Sequence, residues 1–112
     1  MEYMRQCIQA MDQKKYVLAI EKFAVIAAQY PDDVNAQFYT GYCYFEGGNY
    51  QKAIAYFDKT MLNPIWSFDE PAEFYKAKSL KSLGSVAEAE VLFKSIVEKG
   101  KFYADKARRE LE

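Results

Sequence analysis

The chain has no histidine, and only two of its 112 residues are cysteines. Histidine is the side chain most often used for acid–base catalysis near neutral pH, and it is a common ligand of transition metals. Cys7 and Cys43 lie far apart and form no Cys-x-x-Cys pair, so the chain lacks the four Cys or His ligands of a structural zinc site. We expect both thiols to be buried in the core, with a disulfide between them as the alternative.

A large net charge and long apolar runs are also absent. Fifteen basic and sixteen acidic residues give a net charge of −1, which provides no strongly basic surface for nucleic acid or anionic lipid. No apolar run has the length of a membrane span, and N-terminal residues such as Glu2 and Arg5 do not fit a signal peptide. We therefore expect a soluble protein of unknown compartment that neither binds nucleic acid nor inserts into a membrane.

Sequence motifs of enzymes are missing as well. The chain has no glycine-rich phosphate loop and no nucleophile elbow. Nothing in the spacing of its acidic residues places a pair of carboxylates around a cleft; the candidates are Glu46, Asp58, Asp69, Glu70 and Glu73. We predict that the protein is not an enzyme and uses neither a cofactor nor a metal ion.

Apolar and aromatic residues, in contrast, are plentiful. They make up 51% and 17% of the chain, beside 28% charged residues, which is the balance of a globular protein. A chain of this length buries a core without disulfides or metals, and we expect one domain over residues 1–112.

One sequence motif recurs along the chain. The pattern Tyr-x-x-Ala-Ile-x-x-Phe starts at Tyr16 and again at Tyr50, 34 residues later. A weaker copy, Val-x-x-Ala-Glu-x-x-Phe, starts at Val86, 36 residues after the second. Each copy has apolar residues three and four apart and follows another segment with that spacing, which predicts pairs of antiparallel helices. The predicted helices are 2–13, 16–29, 33–46, 50–62, 70–83, 86–99 and a shorter one at 102–111.

Residues typical of turns and helix ends lie between these segments. Asn49 follows two glycines and is a predicted N-cap, and Ser85 with Glu88 predicts a capping box. The sequence Pro31-Asp32-Asp33 is predicted to end one helix and start the next. The irregular linker at 63–68 contains the single tryptophan. We expect its Trp66 and Phe68 to fold back over a hairpin edge, with an exposed contact for a partner as the alternative.

The repeated residues resemble the tetratricopeptide repeat family, whose unit is a helix–turn–helix of about 34 residues. The middle repeat matches the family pattern at Gly41, Tyr44, Ala53 and Phe57, and its Pro64 stands one residue early. The corresponding residues are Tyr3, Cys7, Ala10, Ala19, Phe23 and Pro31 in the first repeat, and Ala77, Leu80, Ala89 and Phe93 in the third. The small residues among them suit the place where two helices cross closely, and the phenylalanines fill the space beside it.

The resemblance implies an all-α fold, an α-solenoid whose three helical hairpins stack as a right-handed superhelix. The hairpins are expected at about 1–31, 33–63 and 70–99, followed by a C-terminal capping helix at 102–111. The layout also resembles the C-terminal repeat modules of bacterial envelope and regulatory proteins. We therefore leave open that the chain is a module of a larger bacterial protein.

Proteins of this family use the first helix of each hairpin to line a concave groove that binds a peptide or a partner helix. Carried over by register, the groove positions are Met4, Ile8, Met11 and Asp12; Asn35, Phe38, Tyr42, Phe45 and Glu46; and Phe74, Lys78, Lys81 and Ser82. All of them except Asp12, Asn35, Glu46 and Ser82 are our candidate partner-binding residues. The alternative is that three hairpins leave no groove and that Phe38, Tyr42 and Phe45 pack against neighbouring helices.

The resemblance thus implies a scaffold or adaptor for protein–protein interaction, with another protein or peptide as partner. A well-known subclass clamps a C-terminal carboxylate, but the corresponding positions here are Met4, Ile8, Tyr39, Pro71 and Tyr75, so that clamp is absent. Self-assembly into a homodimer is the main alternative. Residues 1–75 carry six basic and ten acidic residues, whereas 76–112 carry nine and six. Solvated helix faces routinely carry such an imbalance; the alternative is that opposite charge at the two ends steers a partner or favours contacts between copies. A pocket for an apolar small molecule is a third hypothesis.

Overall fold

The computed structural model describes residues 15–112 and, before them, Gln9. Residues 15–112 contain six α-helices and no β-strand. The helices are α1 (Tyr16–Gln29), α2 (Val34–Glu46), α3 (Tyr50–Leu62), α4 (Asp69–Ser82), α5 (Val86–Lys99) and α6 (Ala104–Glu110). Apart from Gln9, the predicted helix at 2–13 lies outside the described residues.

The bounds of α1, α3 and α5 are those predicted from the repeated motif. The predicted start of α2 is wrong by one residue, the predicted 70–83 for α4 is wrong by one residue at each end, and α6 is shorter than the predicted 102–111. At α2 the reason is clear, because the side chain of Asp33 accepts a hydrogen bond from the Ala36 amide at 3.1 Å and so lies just outside the helix as its N-cap.

Each helix packs against the next one along the chain, and α2 also contacts α4. The pairs α2–α3 and α4–α5 are helical hairpins, and α6 packs against α5 after the second of them. This sequential packing confirms the all-α solenoid.

The core repeats from hairpin to hairpin. Phe23, Phe57 and Phe93 are fully buried, each beside a buried alanine of the recurring motif. Gly41 lies where α2 crosses α3. A Cβ atom added to Gly41 would lie 2.9 Å from Cε1 of Phe57 and 3.1 Å from Cβ of Tyr56. These two helices therefore approach too closely for any larger residue there. Of the two cysteines, Cys43 is buried in the core, and Cys7 lies outside the described residues.

The helix ends are stabilised unequally. Asn49 accepts a hydrogen bond from the Lys52 amide at 3.4 Å, which confirms the predicted N-cap of α3. The predicted capping box at Ser85 is wrong, because the Ser85 side chain makes no capping hydrogen bond at the start of α5. The turn before it is made instead by Gly84, whose φ of 90° favours glycine.

Different interactions close the open ends of the two complete hairpins. In α2–α3, the Asn63 side chain donates hydrogen bonds to the Asp32 carbonyl (2.8 Å) and to Oε1 of Gln37 (3.0 Å). In α4–α5, the ammonium group of Lys99 bonds the carboxylate of Glu73 at 2.8 Å. An amide therefore joins the first pair of helix ends, and an ion pair joins the second.

The two aromatic residues of the α3–α4 linker have different surroundings. The Phe68 ring stacks on Phe38, with 4.7 Å between ring centroids, so it folds back over the hairpin as predicted. Trp66 does not, since 78% of its surface is exposed. The prediction for Trp66 is therefore wrong, and the alternative of an exposed aromatic side chain is what the structure has.

Candidate interaction groove

The candidate groove lies along α2 and α4, the helices that come first in their hairpins, and continues to α6. The contact between α2 and α4 is made largely by aromatic rings. Tyr42 and Phe45 of α2 both meet Tyr75 of α4, at centroid distances of 5.1 and 5.2 Å. Tyr75 in turn lies 6.3 Å from Tyr103, at the start of α6. We call this surface, formed by Tyr42, Phe45, Tyr75 and Tyr103, the aromatic face.

Two of the predicted groove residues lie beneath this surface. Phe38 is buried against Phe57 and is covered by Phe68 of the linker. Phe74 is buried as well, between Phe93 and Tyr103. Both rings therefore support the aromatic face from below and are not accessible to a partner in this structure.

Tyr42 and Phe45 are half-buried, so part of each ring faces solvent. Burial raises the pKa of the Tyr42 hydroxyl well above its usual range, and the nearby carboxylate of Glu46 raises it further. The Tyr42 hydroxyl is therefore neutral at physiological pH, and we treat it as a hydrogen-bonding group at the edge of an apolar surface.

Tyr75 and Tyr103 belong to this face although neither is among the predicted groove residues. Burial raises the pKa of both hydroxyls; Tyr103 and Glu46 raise the pKa of Tyr75 further, and Glu70 does the same for Tyr103. A signal for Tyr75 was present in the sequence. The dipeptide Phe-Tyr occurs at 38–39 and again at 74–75, 36 residues later, which marks equivalent positions on the two helices.

The basic end of the groove is partly neutralised. The ammonium groups of Lys78 and Lys81 lie 3.6 and 3.1 Å from the carboxylate of Glu110 on α6. Lys78 also lies 5.8 Å from the ring centroids of Phe45 and Phe74. Beside it is an open cleft of about 310 Å³ whose lining includes Lys106 and Arg109. Four cationic side chains and one carboxylate therefore lie at this end of the aromatic face.

The remaining candidates, Met4, Ile8 and Met11, lie outside the described residues.

Among residues 15–112 and Gln9, no group of three or more Cys, Asp or Glu side chains is arranged to hold a metal ion. In the same part of the chain, every helix is too short or too polar to span a membrane.

Comparison with known proteins identifies the repeat. The family model for the tetratricopeptide repeat matches residues 8–61. No curated protein sequence matches the chain. Tetratricopeptide repeats are generally protein-interaction modules and typically non-catalytic scaffolds. Residues 8–61 therefore match the tetratricopeptide repeat, and the helices after residue 61 repeat the same hairpin arrangement.

Proposed function

We propose that this protein is a non-catalytic adaptor that holds a peptide or a helix of another protein against the aromatic face. The observation that carries the proposal is the row of partly exposed rings, Tyr42, Phe45 and Tyr75, which runs into the basic cleft at Lys78. Tyrosine and phenylalanine contribute large contact areas at protein interfaces and lose little side-chain entropy on binding.

The charges at the groove end favour a particular kind of occupant. Lys78, Lys106 and Arg109 line one cleft with a single carboxylate, that of Glu110. An acidic group on the partner would exchange places with Glu110 or add to it, whereas apolar side chains would cover the rings. We expect an amphipathic segment that carries apolar residues and one or more carboxylates.

Site-specific photo-crosslinking tests the position of the partner. A photoreactive phenylalanine analogue replaces Phe45 on the aromatic face and, as a matched control, replaces Val91, an exposed residue of α5. We expect a crosslinked partner from Phe45 and none from Val91. Equal yields at the two positions would contradict binding at the aromatic face.

Charge reversal tests the basic end. Lys78→Glu should weaken capture of that partner, because it places a carboxylate beside Glu110 and removes a cation from the cleft. The control is Lys94→Glu, the same change at an exposed position of α5. If both variants bind as the parent does, the charge of the groove end has no part in recognition.

Self-assembly is the second candidate function. The uneven charge of the chain, acidic before residue 76 and basic after it, favours pairing between copies, and a second copy would also cover the aromatic face. Light scattering over a range of concentrations distinguishes the two. A mass that stays at that of the monomer supports the adaptor, and a dimer that dissociates on replacement of Phe45 by serine supports self-assembly.

A further inference from the structure

A second concave surface lies between the α3–α4 and α5–α6 linkers and meets the aromatic face at Tyr103. It is a cleft of about 520 Å³ whose lining includes Trp66 and Phe68 of one linker, Lys101 and Phe102 of the other, and Asp69 at the start of α4. We call it the linker cleft.

The linker cleft is bordered by two unusually exposed aromatic side chains. Trp66 is 78% exposed and Phe102 is 96% exposed. Together with Tyr30, which is 55% exposed in the α1–α2 linker, they recur at intervals of 36 residues. A large aromatic side chain buries about 150–250 Å² when it is covered. A partner that covers these rings therefore gains a large apolar contact. The repeat therefore presents an aromatic residue in each of these three linkers.

Asp69 and Glu70 line the linker cleft, and Glu73 follows about one turn later on α4. Oδ1 of Asp69, Oε2 of Glu70 and Oε1 of Glu73 are each shielded from solvent and have no hydrogen-bond donor among the described residues. Burial raises the pKa of Asp69, and nearby Lys99 lowers it only in part. A shielded carboxylate oxygen without a donor is unfavourable, and a cationic donor would stabilise it.

The basic groups nearby do not supply enough donors. Lys99 binds the other oxygen of Glu73, Oε2, at 2.8 Å. Lys101 is the basic residue in the lining, against the two carboxylates of Asp69 and Glu70. The charge of the lining is therefore negative, beside two rings that offer flat apolar faces.

We propose that the linker cleft binds an arginine-containing segment of another protein. The guanidinium group pairs with the carboxylates of Asp69 and Glu70, and its plane stacks on Trp66 or Phe102. Arginine suits this site because it carries five N–H donors in one plane and stacks on aromatic rings, whereas lysine offers a single ammonium group. The cleft shares Tyr103 with the aromatic face, but its other lining residues belong to the two linkers and the start of α4.

Selection from a phage-displayed library of random peptides tests the proposal, because it requires no assumption about which protein the partner is. Peptides are selected on the parent protein and counter-selected on the double variant Trp66→Ala/Phe102→Ala. Both side chains are largely exposed, so the double variant should fold, and its melting temperature verifies this. We expect the recovered peptides to share an arginine next to an apolar residue.

Titration of a recovered peptide then locates its contacts. Trp66 is the only tryptophan, so its fluorescence reports binding at the linker cleft directly. Glu70→Gln and Trp66→Ala should each weaken binding about fivefold or more, the equivalent of about 1 kcal/mol for one stacked or charged contact. Binding to Trp66→Ala is measured by calorimetry, because this variant has no tryptophan fluorescence. Val91→Ala, which lies outside the cleft, should leave the affinity unchanged. Replacing the peptide's arginine by glutamine should abolish the fluorescence change.

Three results would overturn the proposal. One is a selection in which no peptide depends on Trp66 or Phe102. Another is a set of dependent peptides without arginine, which would make the cleft a purely apolar site. The third is concentration-dependent dimerisation of the parent that the double variant lacks, which would make a second copy of the chain the occupant.

Discussion

The two complete hairpins, α2–α3 and α4–α5, have the same architecture but are specified differently. In α2–α3 a glycine at the crossing and side-chain N-caps at Asp33 and Asn49 fix the geometry locally. In α4–α5 the crossing residue is Ala77, and neither helix has a side-chain N-cap. The second of these hairpins therefore depends more on packing and on ion pairs with neighbouring helices, such as Lys76 with Asp58.

The stability of the two hairpins should depend equally on the buried phenylalanine at the centre of each. Phe57→Ala and Phe93→Ala each remove a fully buried ring, and each should lower the free energy of unfolding by about 3–5 kcal/mol. Urea denaturation followed by circular dichroism measures both. If Phe93→Ala costs less than about 1 kcal/mol, the scale of a single CH₂ group, the core does not extend through the last hairpin as described.

The crossing residues should differ in the change that they tolerate. Gly41→Ala inserts a methyl group 2.9 Å from the Phe57 ring. Overpacking of this kind lowers the free energy of unfolding by about 1–3 kcal/mol. The loss should exceed the roughly 1 kcal/mol that alanine adds through its higher helix propensity. Ala77→Gly should also destabilise the protein, by about 1 kcal/mol, because the helix loses propensity without gaining space. Adding and removing one methyl group at equivalent positions should therefore both lower the melting temperature. A Gly41→Ala protein more stable than the parent would show that the α2–α3 crossing is looser than it is here.

The two hairpins should also differ in how much their helix N-caps contribute to stability. Asp33→Ala removes the hydrogen bond to the Ala36 amide and should cost about 1 kcal/mol. Ser85→Ala should leave stability nearly unchanged, because that side chain makes no capping bond. Thermal melts of the two variants provide the measurement. If both variants lose the same amount of stability, Ser85 does form the capping box that the sequence predicts.

The smallest expected effect concerns alkaline pH. Tyr42, Tyr75 and Tyr103 have pKa values raised above 10.0 in the folded protein. Above about pH 10 the unfolded chain loses protons that the folded protein keeps, so stability should fall as pH rises from there towards the folded pKa. Replacing Tyr75 by phenylalanine should flatten this dependence in denaturation curves recorded from about pH 9 to pH 11. Partial exposure keeps the effect small. A Tyr30→Phe variant is a suitable control, since Tyr30 lies in the exposed α1–α2 linker.

The helices were largely predictable because the repeated motif marks their inner faces. The starts of α3 and α5 follow turns that contain Gly48 and Gly84, both with positive φ, so local sequence sets these boundaries. The failure at Ser85 has a different origin. A serine followed three residues later by glutamate is compatible with a capping box, but the side chain adopts that geometry only where the backbone directs it to the amides.

The exposure of the groove residues was not predictable in the same way. Helical register places Phe38 and Phe74 on the inner face, but a residue's exposure also depends on what covers it. Phe68 of the linker covers Phe38, and Tyr103, before α6, covers Phe74. These contacts join positions about 30 residues apart in the sequence, and periodicity within one helix carries no information about them.

The different closures of the two hairpins have a consequence for local opening. Asn63 closes α2–α3 through neutral hydrogen bonds, whereas Lys99 and Glu73 close α4–α5 through a partly exposed ion pair. Dissolved salt screens the ion pair but not the amide. At high ionic strength the end of α5 should therefore fray more readily, and its amide hydrogens should exchange faster, while α2–α3 keeps its protection. Because Lys99 and Glu73 both lie close enough to act on Asp69, which lines the linker cleft, the salt concentration would also change the charge that an arriving cation meets there.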